Sequence, residues 1–389
     1  MLWQPRLPDE YRELGEEEIA ARITARKAEL GDRLLILGHH YQQDETIRHA
    51  DLIGDSLRLS RMAAEESRKR GTEFIVFCGV HFMAETADLL TDENVQVILP
   101  DLSAGCSMAD MAQWDDVVDC WDALGEILDD EPVVPITYVN SSAAVKAFVG
   151  MRGGACCTSS NAAQVFDWAR GQSKNARVLF LPDQHLGRNT AHARGITTEV
   201  DAAKSGEKAR TALWNPRTPG GGLPADRYRD AEVILWAGHC SVHRLFRPEH
   251  VDEAREEDSE VNVLVHPECT QEVVDKADLS GSTEYIISTV NEAEPGTSWA
   301  IGTEVHLVSR LARQAAERGV KVRILSECQC LCTTMYRVDP QHLLFVLENL
   351  AQGTVVNRVQ VHPDAADSAR AALERMLAHV ASKPVAVKS

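Results

Sequence analysis

Short apolar runs alternate along this chain with longer amphipathic stretches. Leu34-Leu35-Ile36-Leu37, Phe74 to Cys78 and Val95 to Leu99 are continuous apolar runs, the pattern of strands covered on both faces. Leu14 to Leu30, with Ile19, Ile23 and Ala25 among charges and Gly31 at its end, reads as a helix, as does Leu57 to Arg70. The alternation restarts at Val133 to Tyr138 and passes through a helix at Ala162 to Arg170 to Val178–Leu181. It restarts again at Val233 to Trp236, with Val261 to Val265, Ile286-Ile287 and Val322 to Leu325 as further strands around a helix at Val305 to Arg318. Helices are expected from Pro340 and over Pro363 to Ser382. Strands alternating with helices predict an α/β protein with parallel sheets. Three rounds predict three similar three-layer α/β/α domains: residues 30–115, 116–196 and 232–340, followed by C-terminal helices over 341–389. Residues 197–231, rich in Lys, Pro and Gly with little apolar periodicity, read as a polar surface insertion. Leu-Pro-Asp at 99–101 and again at 181–183 is a further sign of repetition.

In parallel sheets ligands sit beyond the carboxyl ends of the strands, and the polar residues gather there. His39-His40-Tyr41, Gly105-Cys106-Ser107, Tyr138-Val139-Asn140, Gly238-His239-Cys240 and His266-Pro267-Glu268-Cys269 each follow an apolar run, and Cys328, Cys330 and Cys332 follow the last. With 389 residues and a net charge of −19, the chain lacks the basic face that a general nucleic-acid binder needs. Met1 to Glu18 has no apolar core of signal-peptide type, and no run is long enough to span a membrane. A cytoplasmic protein with mostly reduced cysteines is expected, and clustered reduced thiols point to metal or redox chemistry rather than to disulfides.

Cys106, Cys240 and one of Cys328, Cys330 or Cys332 would make a three-thiolate site. Such soft donors suit an iron–sulfur cluster or zinc, and a coordination position left open suits Lewis-acid catalysis. Cys78, Cys120, Cys156 and Cys157 read as small buried hydrophobes. Glu268, given a raised pKa, could remove a proton beside a carbonyl; equally, it could be a first-turn acid favoured by a helix dipole. Ser56, Ser141, Ser142, Thr158, Ser159, Ser282 and Thr283 stand at helix starts, where hydroxyls cap the helix or help it bind carboxylate and phosphate. Neither Gly-x-x-x-x-Gly-Lys nor Gly-x-Gly-x-x-Gly occurs, so no motif indicates ATP or NAD.

The ordered set His39-His40-Tyr41-Gln42, Gly54-Asp55-Ser56-Leu57, Gly79 to Glu85, Ala104-Gly105-Cys106-Ser107, Tyr138-Val139-Asn140, Thr158 to Ala162, Leu181-Pro182-Asp183, Gly238-His239-Cys240, His266 to Cys269, Gly281-Ser282-Thr283, Gly302-Thr303-Glu304 and Cys332-Thr333-Thr334-Met335 resembles the quinolinate synthase (NadA) family. The resemblance spans roughly residues 35 to 340. It implies three pseudo-symmetric domains around a central active site with a 4Fe-4S cluster. The implied reaction condenses iminosuccinate (iminoaspartate) with dihydroxyacetone phosphate to quinolinate, phosphate and water in NAD biosynthesis. The implied cluster ligands are Cys106, Cys240 and Cys332, the last identified by the Met335 that follows it. The implied substrate contacts are His39, Ser56, Tyr138, Val139, Asn140, Ser159, His266, Pro267, Glu268 and Thr283. Glu268 would be the base, with Tyr41, Tyr138, His39 and His266 around it in the catalytic set. Small-molecule substrates, no nucleic acid, no membrane, and a functional link to an aspartate oxidase or dehydrogenase complete the expectation. Two rivals stand beside it: a metal- or redox-sensing regulator built on the cysteine loop, and an iron–sulfur hydro-lyase of the aconitase sort.

Overall fold

Apolar runs buried on both faces become strands, and their order in the sheets exposes the repetition. The computed structural model describes residues 4, 6–129, 131–327, 330–379 and 386–388; Cys328 lies outside the described residues. The chain divides into two units, Met1–Cys106 with Leu331–Ala366 and Ser107–Cys330 with Asp367–Ser389.

In the first unit β1 (Leu34–His39), β2 (Leu52–Gly54), β3 (Phe74–Cys78) and β4 (Gln96–Ile98) lie parallel in the order β4-β3-β1-β2, and Arg358–Val359 adds an antiparallel edge beside β4. The helix Glu16–Leu30 buries Ile19, Ile23 and Leu30 and ends at Gly31, whose φ of 55° takes the chain out of the helix. It packs on the helix Pro340–Ala351, where Arg22 forks onto Glu348 at 3.0 and 2.8 Å and the Tyr11 hydroxyl donates to the same carboxylate at 2.7 Å.

The second unit holds two sheets. β5 (Val133–Tyr138), β6 (Ala155–Cys157), β7 (Arg177–Leu181), β8 (Thr211–Trp214) and β9 (Val233–Trp236) are all parallel in the order β6-β5-β7-β9-β8. β10 (Asn262–Val265), β11 (Leu279–Gly281), β12 (Ser298–Gly302) and β13 (Lys321–Ile324) run parallel as β13-β12-β10-β11, with Ala386–Lys388 antiparallel beyond β11. The fold is α/β, with several mostly parallel sheets flanked by helices.

Each sheet has the same core order: fourth strand, third, first, second. The second sheet follows it as β9-β7-β5-β6, with β8 as an added edge. Val233–Trp236 therefore closes the second repeat instead of opening the third. The stretch 197–231 is not a polar excursion: it supplies β8, with Thr211, Ala212 and Trp214 buried, and the helix Ala225–Asp230, whose Tyr228 packs on Trp214 at 5.2 Å. A four-residue strand among Pro, Gly and Lys is too short to announce itself by periodicity. Ile286-Ile287, expected as a strand, lies in the helix Thr283–Glu292, which Ser282 caps by accepting the Tyr285 N–H. The two Leu-Pro-Asp segments follow a fourth strand and a third strand respectively, so they are not related by the repeat.

Candidate active site

The repeats carry their chemistry at corresponding places. His39, Tyr138 and His266 end or follow the first strand of each repeat; Ser56, Ser159 and Thr283 follow the second; Cys106, Cys240 and Cys332 lie in the loop after the fourth. Of the nine described cysteines, Cys78, Cys120, Cys156, Cys157, Cys269 and Cys330 are buried, whereas Cys106, Cys240 and Cys332 are partly exposed. Burial pushes the Cys78 and Cys156 thiols up to about 12, and those of Cys120, Cys157 and Cys269 well above their ordinary value. Those five are thiols packed in low-dielectric surroundings.

Within the second unit, buried Tyr138, His243, His266, Glu268 and Thr303 form one group with partly exposed Cys240 at its edge. His243 Nδ1 donates to Glu268 Oε2 at 2.8 Å, and the Thr303 hydroxyl lies 3.2 Å from His243 Nε2. The pairing at Nδ1 places a ring proton there and leaves Nε2 as the nitrogen able to exchange one. His266 stacks on His243, with centroids 4.4 Å apart and planes within 17°. Its Nδ1 accepts the Glu268 N–H at 3.3 Å, which puts the ring proton on Nε2, and burial followed by the charge of His243 lowers its pKa to about 3. Burial alone would raise Glu268, but the imidazoles of His243 and His266 and hydrogen bonds from His243 and Tyr138 outweigh it and hold the carboxyl at about 2. The raised pKa expected of Glu268 is thus reversed: it is a carboxylate that orients an imidazole.

The helix Gln184–His192 organises this group from behind. Asp183 caps it, accepting the Leu186 N–H at 2.7 Å through Oδ1 and the Cys240 N–H at 3.1 Å through Oδ2. Burial and the charge of Glu268 push Asp183 well up, against its backbone donors. Cys240 Sγ, a ring nitrogen of His243 and an oxygen of Glu268 lie within 4.8 Å of one another, a thiolate–imidazole–carboxylate set able to hold a metal. In the loop after β5, Asn140 Oδ1 is buried without a hydrogen-bond partner among the described residues, as expected of an atom that meets a ligand. Val139 is fixed by its N–H to Cys157 O at 2.8 Å. Ser159 lies in a turn closed by Asn161 Oδ1, which accepts the Thr158 N–H at 2.7 Å, and Thr283 opens the helix that Ser282 caps.

In the first unit His39 repeats the local geometry of His266: its Nδ1 accepts the N–H of Tyr41, two residues on, at 3.1 Å, and the Tyr41 ring stands edge-on at 4.8 Å. Ser56 opens the helix Ser56–Arg70, but Asp55 caps it by accepting the Arg58 N–H at 2.8 Å. Buried Asp101 accepts from Ser103 N at 2.8 Å and from Arg337 Nε at 3.1 Å, tying the loop before Cys106 to the turn after Cys332.

The sequence sets His243 with His39 and His266 among histidines at or just past strand ends but gives it no role in the site; its place three residues past Cys240 was a usable signal. Thr303 stood in the Gly302-Thr303-Glu304 motif without an assigned role, and Asn189 gave no signal, because its partners are distant in the chain.

The family model for the quinolinate synthetase A protein (NadA) matches residues 21–378. The chain is 52% identical over 370 residues to a quinolinate synthase of Acidobacterium capsulatum, covering 95% of each chain. It is 49% identical to one of Corynebacterium glutamicum, over 98% of this chain and 93% of the relative, and 48% identical to one of Anoxybacillus flavithermus, over 96% of each.

Proposed function

The chain belongs to the quinolinate synthetase A family, and on that premise we propose that it condenses iminosuccinate with dihydroxyacetone phosphate, releasing phosphate and water and forming quinolinate for NAD biosynthesis. Cys106, Cys240 and Cys332 are the ligands of a 4Fe-4S cluster. The observation that carries this reading is that these three, alone among the described cysteines, are partly exposed, and each follows the fourth strand of its repeat. The donor types fit the group, since partly exposed thiolates are its usual ligands. A cluster held by these three residues would supply a Lewis acid.

The protein's own groups do the rest. The Ser56, Ser159 and Thr283 hydroxyls, at or beside helix starts, bind carboxylate or phosphate. Asn140 Oδ1 accepts from the substrate. His243 takes and returns a proton at Nε2, with Thr303 as its resting partner, while Glu268 and Tyr138 hold the imidazole in register; catalysis by a positioned base of this kind contributes about 10²–10⁴-fold. His266, neutral with its proton on Nε2, and His39, with the same tautomer, donate hydrogen bonds to developing negative charge, and Tyr41 buttresses His39. Val139 and Pro267 shape the walls. The substrate supplier is an enzyme that oxidises aspartate, and the site of action is the cytoplasm.

Anaerobically purified protein should carry about four irons per chain and form quinolinate from the two substrates. Serine at position 106, 240 or 332 should each remove the iron, whereas Cys78→Ser and Cys120→Ser should keep it. Colourless zinc-loaded protein would favour the regulator, and iron-loaded protein that dehydrates a hydroxy acid but makes no quinolinate would favour the hydro-lyase.

A further inference from the structure

Asn189, in the middle of the helix Gln184–His192, is 2% exposed and donates through Nδ2 to both Pro267 O at 2.8 Å and Cys269 O at 2.9 Å. These carbonyls flank Glu268. Because both partners are acceptors, the amide orientation is fixed, and Oδ1 is left buried with no partner among the described residues. The two hydrogen bonds to carbonyls thus set which way the amide faces. The backbone of the loop it grips is bonded within its own repeat, His266 N–H to Gly302 O and Cys269 N–H to His266 O, both at 3.0 Å, while the Glu268 side chain reaches His243 of the second repeat. Asn189 comes from the second repeat. The same helix begins at Asp183, which holds the N–H of Cys240.

We infer that Asn189 is a positioning residue: its amide clamps the carbonyls on either side of Glu268 and sets the carboxylate in register with His243. The inference rests on the reaction proposed above for its kinetic arm and on geometry alone for its structural arm. Leucine at this position keeps the branching at Cγ, though it is bulkier, and removes both the clamp and the orphan oxygen. Aspartate keeps the shape and turns the donors into an acceptor facing two carbonyls.

The test uses the full, cluster-loaded chain. For Asn189→Leu and Asn189→Asp, kcat should fall about 100-fold, the cost of a displaced reacting group, while KM stays within about threefold. Amide exchange over residues 266–271 should quicken about tenfold while exchange elsewhere is unchanged. Thr190→Val, which removes a hydroxyl bonded to Leu186 O on the same helix, should change neither. Unaltered exchange over the loop, or kcat within about threefold of wild type, overturns the inference, as does a general rise in exchange across the second unit. If the wild type makes no quinolinate, the functional reading fails, and the exchange data still decide whether the clamp exists.

Discussion

Replacing Glu268 by Gln removes one charge from the buried His243–Glu268 pair and leaves its shape. The structure sets the size of the effect. Glu268 falls from an ordinary carboxylate value of 4.5 to about 2, a shift worth about 3 kcal/mol at 1.36 kcal/mol per unit. Because the folded value lies below the unfolded one, the stabilisation is fully present above pH 4.5 and is lost as the pH falls through 2. The neutral amide mimics the protonated acid. Wild type should therefore exceed Glu268→Gln by about 3 kcal/mol in urea unfolding at pH 7 and by roughly half that at pH 3. In the anaerobic quinolinate assay the variant should lose about 10²-fold or more in kcat with its iron intact, since His243 loses the partner that fixes its tautomer. A stability gap that stays constant between pH 7 and pH 3 would refute the electrostatic argument, and retained turnover would refute the orienting role.

Two other substitutions probe the scaffold. At Gly150 a Cβ would lie 1.8 Å from Ser368 O of the helix Pro363–Leu377, so Gly150→Ala should lower stability by about 2 kcal/mol in thermal unfolding. Asp101→Ala leaves Ser103 N and Arg337 without their acceptor; it should cost about 1–3 kcal/mol and speed iron loss to a chelator, because the loops of Cys106 and Cys332 lose their tie.

The alternation of apolar runs and amphipathic stretches was enough to identify an α/β protein with parallel sheets, since both signals are local. The strand-end residues Tyr138, His266 and Cys240 were legible for the same reason, and the structure groups them. What local pattern could not convey was register between distant strands. β8 is a buried edge because β9 offers it a partner, and Val233–Trp236 belongs to the second sheet because it pairs with β7. Ile286-Ile287 looked like a strand because two β-branched residues outweighed the helix start that Ser282 and Thr283 had marked just before them. The charge state of Glu268 depends on His243, 25 residues away along the chain, and no spacing rule connects the two.

The first unit is assembled from two segments far apart in the chain, Met1–Cys106 and Leu331–Ala366. During synthesis its opening segment leaves the ribosome with the outer face of β4 unpaired and Arg22 without Glu348, and must wait for some two hundred residues before the closing segment arrives. Ser107–Cys330 can collapse in the interval. A message truncated after codon 330 would therefore yield a product whose earliest-made sheet lacks the partner of β4, leaving an exposed strand edge that invites aggregation.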